Sequence, residues 1–148
     1  MVYNIEIYTD GAAVAVFVPK WGRHTWFSKE LPSYPAPTSQ RAEITAIIIA
    51  LEEALEKFRE PRSNPYLDVT IYSDSKYAVE CMSNWVYKWV RNGWTNAAGN
   101  EVANRDLIEE ASDLDDRLRA EGDVKYVWIP REKNQLADGY CNDILDEQ

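Results

Sequence analysis

The segment Asn4–Gly11 limits the possible folds most strongly, because it combines a strand pattern with a carboxylate at the strand's end. The side chains at positions 3, 5 and 7 are apolar or aromatic, with Asn4 and Glu6 between them, which is typical of a strand with one buried face. Asp10 therefore lies at the carboxyl end of a strand, where open α/β sheets place their ligands. An isolated Asp-Gly pair is also typical of a hairpin turn. A second strand that ends in the same way, at Tyr72–Ser75, favours a functional site.

The composition indicates one soluble globular domain, residues 1–148, with 45% hydrophobic and 28% charged residues. No apolar run approaches the roughly 18 residues of a membrane span, and the N-terminus lacks a secretory signal pattern. We therefore expect an intracellular monomer, cytoplasmic or nuclear, that does not contact membranes. Cys81 and Cys141 show no metal-ligand spacing and are expected to be reduced.

The net charge of −9 argues against simple electrostatic binding of nucleic acid. Its distribution is uneven along the chain. Residues 85–100 contain no carboxylate, and their only charged side chains are those of Lys88 and Arg91.

Hydrophobic periodicity predicts a mixed five-stranded sheet with helices on its faces, in the order βββαβααβα. Because a helix separates the third and fourth strands, the fourth should pair in parallel with an earlier one. A helix that begins at Thr38 or Ser39 should bury a stripe of isoleucine and leucine. The other predicted strands are Ala13–Val18, Arg23–Leu31, Tyr66–Ser73 and Val124–Ile129, and the other predicted helices are Ser75–Ser83, Asn104–Ala120 (closed by Gly122) and Glu132–Leu145, with a loop at Pro32–Pro37.

Four carboxylates are candidates for a shared site: Asp10, Glu43, Asp74 and Asp138. Each also has a structural explanation when it is considered alone. Glu43 could be favoured by the first turn of its helix, Asp74 could cap the next helix, and Asp138 could be solvated. Together, four carboxylates without basic partners would repel one another unless a cation neutralised them. Hard oxygen ligands of this kind suit Mg²⁺ or Mn²⁺.

Six motifs in this order resemble type 1 ribonuclease H over nearly the whole chain. The resemblance is to a cellular, eukaryotic-style domain of that family and implies the ribonuclease H-like fold. The motifs are Y-T-D-G at 8–11, S-Q-R-A-E-I at 39–44, Y-S-D-S at 72–75, N-W-V-Y-K-W-V-R-N-G-W at 84–94, A-G-N-E-V-A-N at 98–104 and N-Q-L-A-D at 134–138.

The resemblance implies that Asp10, Glu43, Asp74 and Asp138 are the catalytic and metal-binding quartet of a hybrid-specific ribonuclease. Two Mg²⁺ ions, or Mn²⁺, would activate a water and stabilise the leaving oxygen of the scissile RNA phosphate. The products would carry 5′-phosphate and 3′-hydroxyl ends.

The same resemblance implies which residues contact an RNA–DNA hybrid. Gly11, Ser39 and Gln40 match positions that read the 2′-hydroxyls of RNA. Thr38 and Asn104 match positions that hold a phosphate of the DNA strand, although Ala36 replaces the usual basic companion.

Trp85, Trp89 and Trp94 recur at a helix-like spacing that is also compatible with core packing. The resemblance makes this segment a handle for the substrate, with Trp85 and Trp89 as contact residues. Because basic residues are few there, we expect weak, strongly salt-dependent binding of the hybrid.

Two departures from the family pattern bear on the catalytic rate. The glycine-rich loop after the first Asp-Gly is absent, and so is the histidine loop before the last aspartate; an R-E-x-N segment at 131–134 replaces it. The single histidine, His24, is expected to be structural, and Arg131 cannot shuttle protons near neutral pH.

Two other functions remain open on the sequence. One is a non-catalytic or weakly active module that binds nucleic acid, and the other is a related nuclease with a different substrate, such as double-stranded RNA. The presence of all four acids favours an active hybrid ribonuclease.

Overall fold

The structure, a computed structural model, describes residues 2–10, 13–18, 25–28, 31, 38–59 and 66–134. The strands are β1 (Val2–Asp10), β2 (Val14–Val18), β3 (Thr25–Ser28), β4 (Tyr66–Ser73) and β5 (Gly122–Trp128). The helices are α1 (Ser39–Arg59), α2 (Lys76–Glu80), α3 (Val86–Asn92) and α4 (Arg105–Arg119), with a π-helical turn at Cys81–Trp85 and a 3₁₀ turn at Arg131–Lys133.

The five strands form one mixed sheet in the order β3-β2-β1-β4-β5. The first three strands are an antiparallel meander, and β4 and β5 are parallel to β1 and to each other. The mixed sheet and the parallel pairing of β1 with β4 confirm the architecture that the sequence predicts.

One face of the sheet packs against the helices. Strand β1 contributes Ile5 and Ile7 to this core, and β4 contributes alternate residues beginning at Leu67. Helix α1 is buried over most of its circumference near its middle, because Ile47, Ile48, Ile49 and other apolar side chains there are all inaccessible or nearly so. A helix that is apolar on several sides is held between other elements, and α1 contacts both the sheet and α4.

Helix α1 begins where the sequence predicts. The Thr38 side chain accepts a hydrogen bond from the backbone N–H of Arg41 at 3.1 Å, which identifies Thr38 as the N-cap. The helix starts at Ser39, so Glu43 is its fifth residue and lies beyond the first turn. The prediction that Glu43 is in the first turn is therefore wrong, and the helix N-terminus does not explain an acid at this position.

The segment after β4 is helical for longer than the sequence predicts. Ser75 caps α2, and the π-helical turn joins α2 to α3, so helical backbone runs on to Asn92. It ends at Gly93, whose φ of +76° is the left-handed conformation typical of a glycine after a helix. The Trp-rich segment is thus largely helical.

Gly122 has a different position from the one predicted. It does not close α4, which ends at Arg119; it opens β5 instead. A Cβ atom there would lie 1.9 Å from the backbone oxygen of Leu67, so the close pairing of β5 with β4 requires glycine at this residue.

Some sequence predictions lie outside the described residues. They concern the Pro32–Pro37 loop, the structure around His24 and the last predicted helix beyond Asn134. The predicted start of that helix at Glu132 is wrong, because Arg131–Lys133 form a 3₁₀ turn and Asn134 is not helical. Among the helices that are described, none has the length and apolar character needed to cross a membrane.

Candidate active site

Asp10 and Asp74 lie at the ends of adjacent parallel strands. Thr9 of β1 and Ser73 of β4 are register partners, and each acid is the next residue along its strand. The Thr9 hydroxyl donates a hydrogen bond to the carbonyl of Tyr72 at 2.9 Å, which ties the two strand ends together. The sheet therefore brings these two acids to the same edge, as the sequence predicts.

The backbone of Asp10 takes part in the hairpin turn. Asp10 pairs with Val14 across the hairpin, and its carbonyl accepts a hydrogen bond from the N–H of Ala13 at 3.1 Å. A main-chain role in the turn leaves the function of the carboxylate open. Gly11, predicted to contact RNA, is outside the described residues.

Glu43 approaches this edge from α1. The Ser75 hydroxyl donates a hydrogen bond to Glu43 Oε2 at 2.7 Å and accepts one from the N–H of Ala78 at 3.1 Å. Ser75, rather than Asp74, is thus the N-cap of α2. The capping explanation for Asp74 is therefore wrong, and its neighbour Ser75 connects Glu43 to the end of β4.

The pKa of Glu43 is raised above that of an ordinary glutamate. Partial burial raises this pKa most strongly, the hydrogen bond from Ser75 opposes the rise, and the charges of Asp74 and Asp10 add to it. Glu43 therefore lies within electrostatic range of both strand-end acids. The described residues nevertheless contain no group of three histidine, cysteine or acidic side chains close enough to hold a metal ion, and Asp138 is not among them.

Asn134 connects the chain after β5 to the end of β1. It is fully buried, and its side-chain amide donates a hydrogen bond to the carbonyl of Thr9 at 2.8 Å. Beside it, the N–H of Ile129 donates to the carbonyl of Ser73 at 2.9 Å. The chain is thus anchored beside Asp10 at a point four residues before Asp138 in the sequence. The burial of Asn134 was not predicted. The signal in the sequence that could have identified this residue is its position as the first residue of the N-Q-L-A-D motif.

An open cleft of about 690 Å³ lies between the start of α1 and the start of α4. Thr38 and Asn104, the residues predicted to hold a phosphate, both line it. Arg41 also lines the cleft; its guanidinium donates to Asn104 Oδ1 at 3.3 Å and to both carboxylate oxygens of Asp106, at 3.0 and 2.7 Å. The structure therefore brings the predicted pair together and adds a buried arginine, which the sequence analysis missed.

The other predicted substrate residues form a connected surface with this cleft. Ser39 and Gln40 are exposed at the start of α1. The Asn104 amide donates to Gln40 Oε1 at 3.5 Å and to the Tyr77 hydroxyl at 3.1 Å. The rings of Tyr77 and Trp85 lie edge to face at 6.3 Å. The surface thus runs from α1 across α4 to the Trp-rich segment.

The three tryptophans of that segment have different environments. Trp94 is only 8% exposed and belongs to the core, as the packing explanation predicts, whereas Trp85 is 37% exposed. The rings of Trp85 and Trp89 are 5.8 Å apart and tilted. Trp85 is therefore open to a ligand, whereas Trp89 is only partly exposed and its ring lies 6.3 Å from that of Trp94.

The described part of the site offers no activated side-chain nucleophile. Burial raises the pKa of the Cys81 thiol to about 12, and burial also raises the pKa of Tyr77 to about 12. Both groups are therefore protonated at neutral pH, and a protonated thiol is a poor nucleophile.

The protein is therefore an α/β protein with an acidic sheet edge. Its sheet is mixed, and carboxylates lie at the adjoining ends of two central parallel strands. The model of one protein family, described as RNase H, matches residues 3–146. The chain is 34% identical to the Ribonuclease H of Nitrosomonas eutropha, in an alignment covering 94% of this chain and 88% of that protein. The chain belongs to the ribonuclease H family.

Solved structures share the fold. RNase H1 from the halophilic archaeon Halobacterium salinarum is 20% identical with a TM-score of 0.59, and the alignment covers 98% of this chain and 99% of that one. LC11-RNase H1, isolated from compost by a metagenomic approach, has been solved in complex with an RNA/DNA hybrid. In that complex it is 22% identical with a TM-score of 0.57, and 97% of each chain is covered.

Proposed function

We propose that this protein is an endoribonuclease that hydrolyses the RNA strand of RNA–DNA hybrids. It would act with two divalent cations, Mg²⁺ or Mn²⁺, and leave 5′-phosphate and 3′-hydroxyl ends. The observation that carries the proposal is the meeting of Asp10 and Asp74 at adjoining strand ends, with Glu43 near enough for both charges to raise its pKa.

The chemistry of these side chains suits a hard divalent cation. Carboxylate oxygens are the preferred ligands of Mg²⁺ and Mn²⁺, and mutual repulsion among the acids gives a bound cation a favourable electrostatic role. Asp10, Glu43 and Asp74, together with Asp138, would hold the ions. Bound cations would supply Lewis acidity toward a phosphate and lower the pKa of a water.

The protein's own residues would orient these ligands. Ser75 directs Glu43 toward the end of β4 through its hydrogen bond. Thr9 holds the end of β1 beside β4, and Asn134 holds the chain beyond β5 against the end of β1. Side chains held in this way lose little freedom when a ligand binds, which favours an organised site.

Recognition of the hybrid would use the surface that joins the cleft to the Trp-rich segment. Ser39, Gln40 and Gly11 would face the RNA strand in its shallow minor groove. Thr38 and Asn104 would hold a phosphate of the DNA strand. Trp85 and Trp89, with the exposed Lys88 and Arg91 of α3, would contact the backbone of the hybrid.

A substrate panel tests the proposal. RNA–DNA hybrid, RNA duplex and DNA duplex, each end-labelled, are incubated with the protein and Mg²⁺ or Mn²⁺. We expect cleavage of the RNA strand of the hybrid alone, loss of cleavage in Asp74→Asn, and unchanged cleavage in Asp113→Asn, which removes an exposed acid on α4. Products should be extended by an enzyme that requires a 3′-hydroxyl.

Two results would contradict the proposal. Binding of the hybrid without cleavage under every metal condition would favour a non-catalytic binding module. Preferential cleavage of the RNA duplex would identify a related nuclease with a different substrate.

A further inference from the structure

Trp128 is a large aromatic side chain that remains 41% exposed at the carboxyl edge of the sheet. It is the last residue of β5 and the register partner of Ser73. Since Ser73 is also the partner of Thr9, the three strands bring Trp128, Asp74 and Asp10 to one edge. A single exposed aromatic side chain is common on protein surfaces, so it is the position of this indole, at the same edge as two acids of the candidate site, that suggests a role in binding.

The indole is held in place by two contacts. Its Nε1–H donates a hydrogen bond to the backbone carbonyl of Asp74 at 3.1 Å. The ammonium group of Lys76 lies 4.8 Å from the centroid of the ring, at cation–π distance. Lys76 is itself exposed, so both a cation and an aromatic surface are open to solvent next to Asp74.

This charge stands out because the surrounding site is acidic. Lys76 follows Asp74 by only two residues, and the chain as a whole carries a net charge of −9. Arg131 and Lys133 are exposed in the turn that follows β5, and Asn134 anchors that turn to the end of β1. Lys76 therefore places a positive charge close to Asp74 in the sequence, and the turn after β5 carries two basic side chains and one acidic one, Glu132.

We propose that Trp128 and Lys76 form a second nucleic-acid contact, the Trp128–Lys76 patch, on the strand that is cut. Lys76 would pair with a backbone phosphate of this strand, and the indole of Trp128 would pack against a neighbouring sugar. Contacts to phosphates and sugars hold a nucleic acid in place without reading its sequence. The inference rests on the proposed hydrolysis of hybrids and extends it to a contact beyond the Trp-rich segment and the cleft.

A purely structural role is the competing explanation. In that case the indole N–H would only steady the carbonyl of Asp74, and Lys76 would only cover the ring. The two roles use different atoms. A nucleic-acid contact needs the aromatic surface and the ammonium charge, whereas a structural role needs the indole N–H.

Four variants separate these roles. Lys76→Met removes the charge and keeps an apolar side chain, and Lys76→Arg keeps the charge. Trp128→Ala removes the ring, and Trp128→Phe keeps an aromatic ring without the N–H donor. Two controls are used. Lys125→Met removes an exposed cation from β5, and Tyr66→Ala removes an exposed ring from the amino end of β4.

Binding of a fluorescent RNA–DNA hybrid is measured by anisotropy without divalent cation, as a function of salt. We expect Trp128→Ala to weaken binding about 10-fold. Lys76→Met should weaken it about 3- to 10-fold and reduce the salt slope by about one ion. Lys76→Arg and both controls should bind like the wild type, and Trp128→Phe should retain most of the affinity.

Cleavage kinetics provide the second measurement. With Mg²⁺, Trp128→Ala and Lys76→Met should raise KM and leave kcat within about 2-fold, because the contact is made equally in the ground state and the transition state. The proposal is overturned if folded Trp128→Ala and Lys76→Met bind with wild-type affinity and salt slope. It is also overturned if Trp128→Phe lowers kcat as much as Trp128→Ala while binding is unchanged.

The same data distinguish this inference from the proposed function. If the wild-type protein cleaves hybrids and the variants bind and cleave them equally well, the proposed function is retained and the Trp128–Lys76 patch is excluded. If the wild-type protein binds hybrids through Trp128 and Lys76 but does not cleave them, the patch is retained as a binding site and the proposed hydrolase activity is excluded. Failure of the wild type to bind hybrids at all excludes the patch.

Discussion

The hydroxyl of Ser75 donates a hydrogen bond to the carboxylate of Glu43 at 2.7 Å, across 32 residues of sequence. The same oxygen accepts the N–H of Ala78 and so begins α2. One side chain therefore fixes the start of a helix and the orientation of a candidate ligand. Because Ser75 directly follows Asp74, the geometry of Glu43 depends on the same turn that places Asp74.

Replacement of Ser75 tests whether this hydrogen bond orients Glu43. Ser75→Ala should lower the single-turnover rate of hybrid cleavage about 10-fold, because an unrestrained carboxylate is less well positioned, and should cost about 1 kcal/mol of stability through loss of the cap. Ser75→Thr, which keeps a hydroxyl, should restore most of both. A wild-type rate in Ser75→Ala would show that Glu43 needs no such orientation.

The raised pKa of Glu43 predicts a conflict between stability and function. Above that pKa, the charged carboxylate is less favourable in the folded protein than in the unfolded chain, so stability decreases as the pH rises through it. In EDTA at about pH 7, Glu43→Gln should therefore increase the free energy of unfolding by about 1 kcal/mol or less, since solvent screens a half-exposed group.

The difference should disappear at about pH 3, below the ordinary glutamate pKa of about 4.3, where Glu43 is protonated in both the folded and the unfolded state. Urea unfolding at the two pH values provides the measurement. Equal or lower stability of Glu43→Gln at about pH 7 would contradict the predicted repulsion.

The Arg41–Asp106 ion pair should stabilise the packing of α1 against α4. The Arg41 side chain is only 8% exposed and that of Asp106 is 58% exposed. Asp106→Asn would leave a buried guanidinium poorly paired and should cost roughly 1–3 kcal/mol, whereas Asp113→Asn on the same helix should change stability by less than about 0.5 kcal/mol.

The hydrogen bonds from Arg41 lower the pKa of Asp106, so the stabilisation is present above the ordinary aspartate pKa and is lost as the pH falls through the lowered one. Urea unfolding of both variants near neutral and acidic pH checks this prediction. Equal effects of the two substitutions would show that the pair is energetically unimportant.

The close approach of Gly122 to Leu67 predicts a large steric effect of a single methyl group. Gly122→Ala places a Cβ atom 1.9 Å from a backbone oxygen, so β5 must shift, at a cost of roughly 2–4 kcal/mol. Gly99→Ala meets no atom within 4 Å and is strained only by its φ of +84°, so it should cost about 1–2 kcal/mol. Thermal unfolding of both variants compares them, and a smaller loss for Gly122→Ala would contradict the predicted clash.

Local sequence patterns determine much of this fold. β4 has the predicted bounds, Tyr66–Ser73, because an alternating strand pattern is bounded there by proline and by the Asp74 turn. The sequence predicts an N-cap at Thr38 or Ser39, because hydroxyl side chains precede a long apolar stripe, and the structure selects Thr38. The π-helical turn was missed, since its extra residue per turn leaves no mark in a helical period. Gly122 was misplaced because a glycine after a helix resembles a terminator, and the proximity of Leu67 is a tertiary feature.

The candidate site was predicted in part. Strand ends and motif order were enough to select Asp10, Asp74 and Glu43, and the structure places all three near one edge. The residues that orient them were not predicted. Ser75 and Asn134 act through hydrogen bonds to residues 32 and 125 positions away, and such long-range contacts leave no local pattern. The position of Asp138 relative to them remains a prediction.

If the acids at the sheet edge act as one catalytic unit, the effects of substituting two of them should not be additive. The measurement is the single-turnover rate of RNA cleavage in a labelled hybrid with saturating Mg²⁺, for Asp10→Asn, Asp74→Asn and the double variant. We expect each single substitution to lower the rate at least about 100-fold and the double variant to be no slower than the slower single one. A single variant that keeps the wild-type rate, or losses that multiply in the double variant, would show that the acids do not act as one catalytic unit.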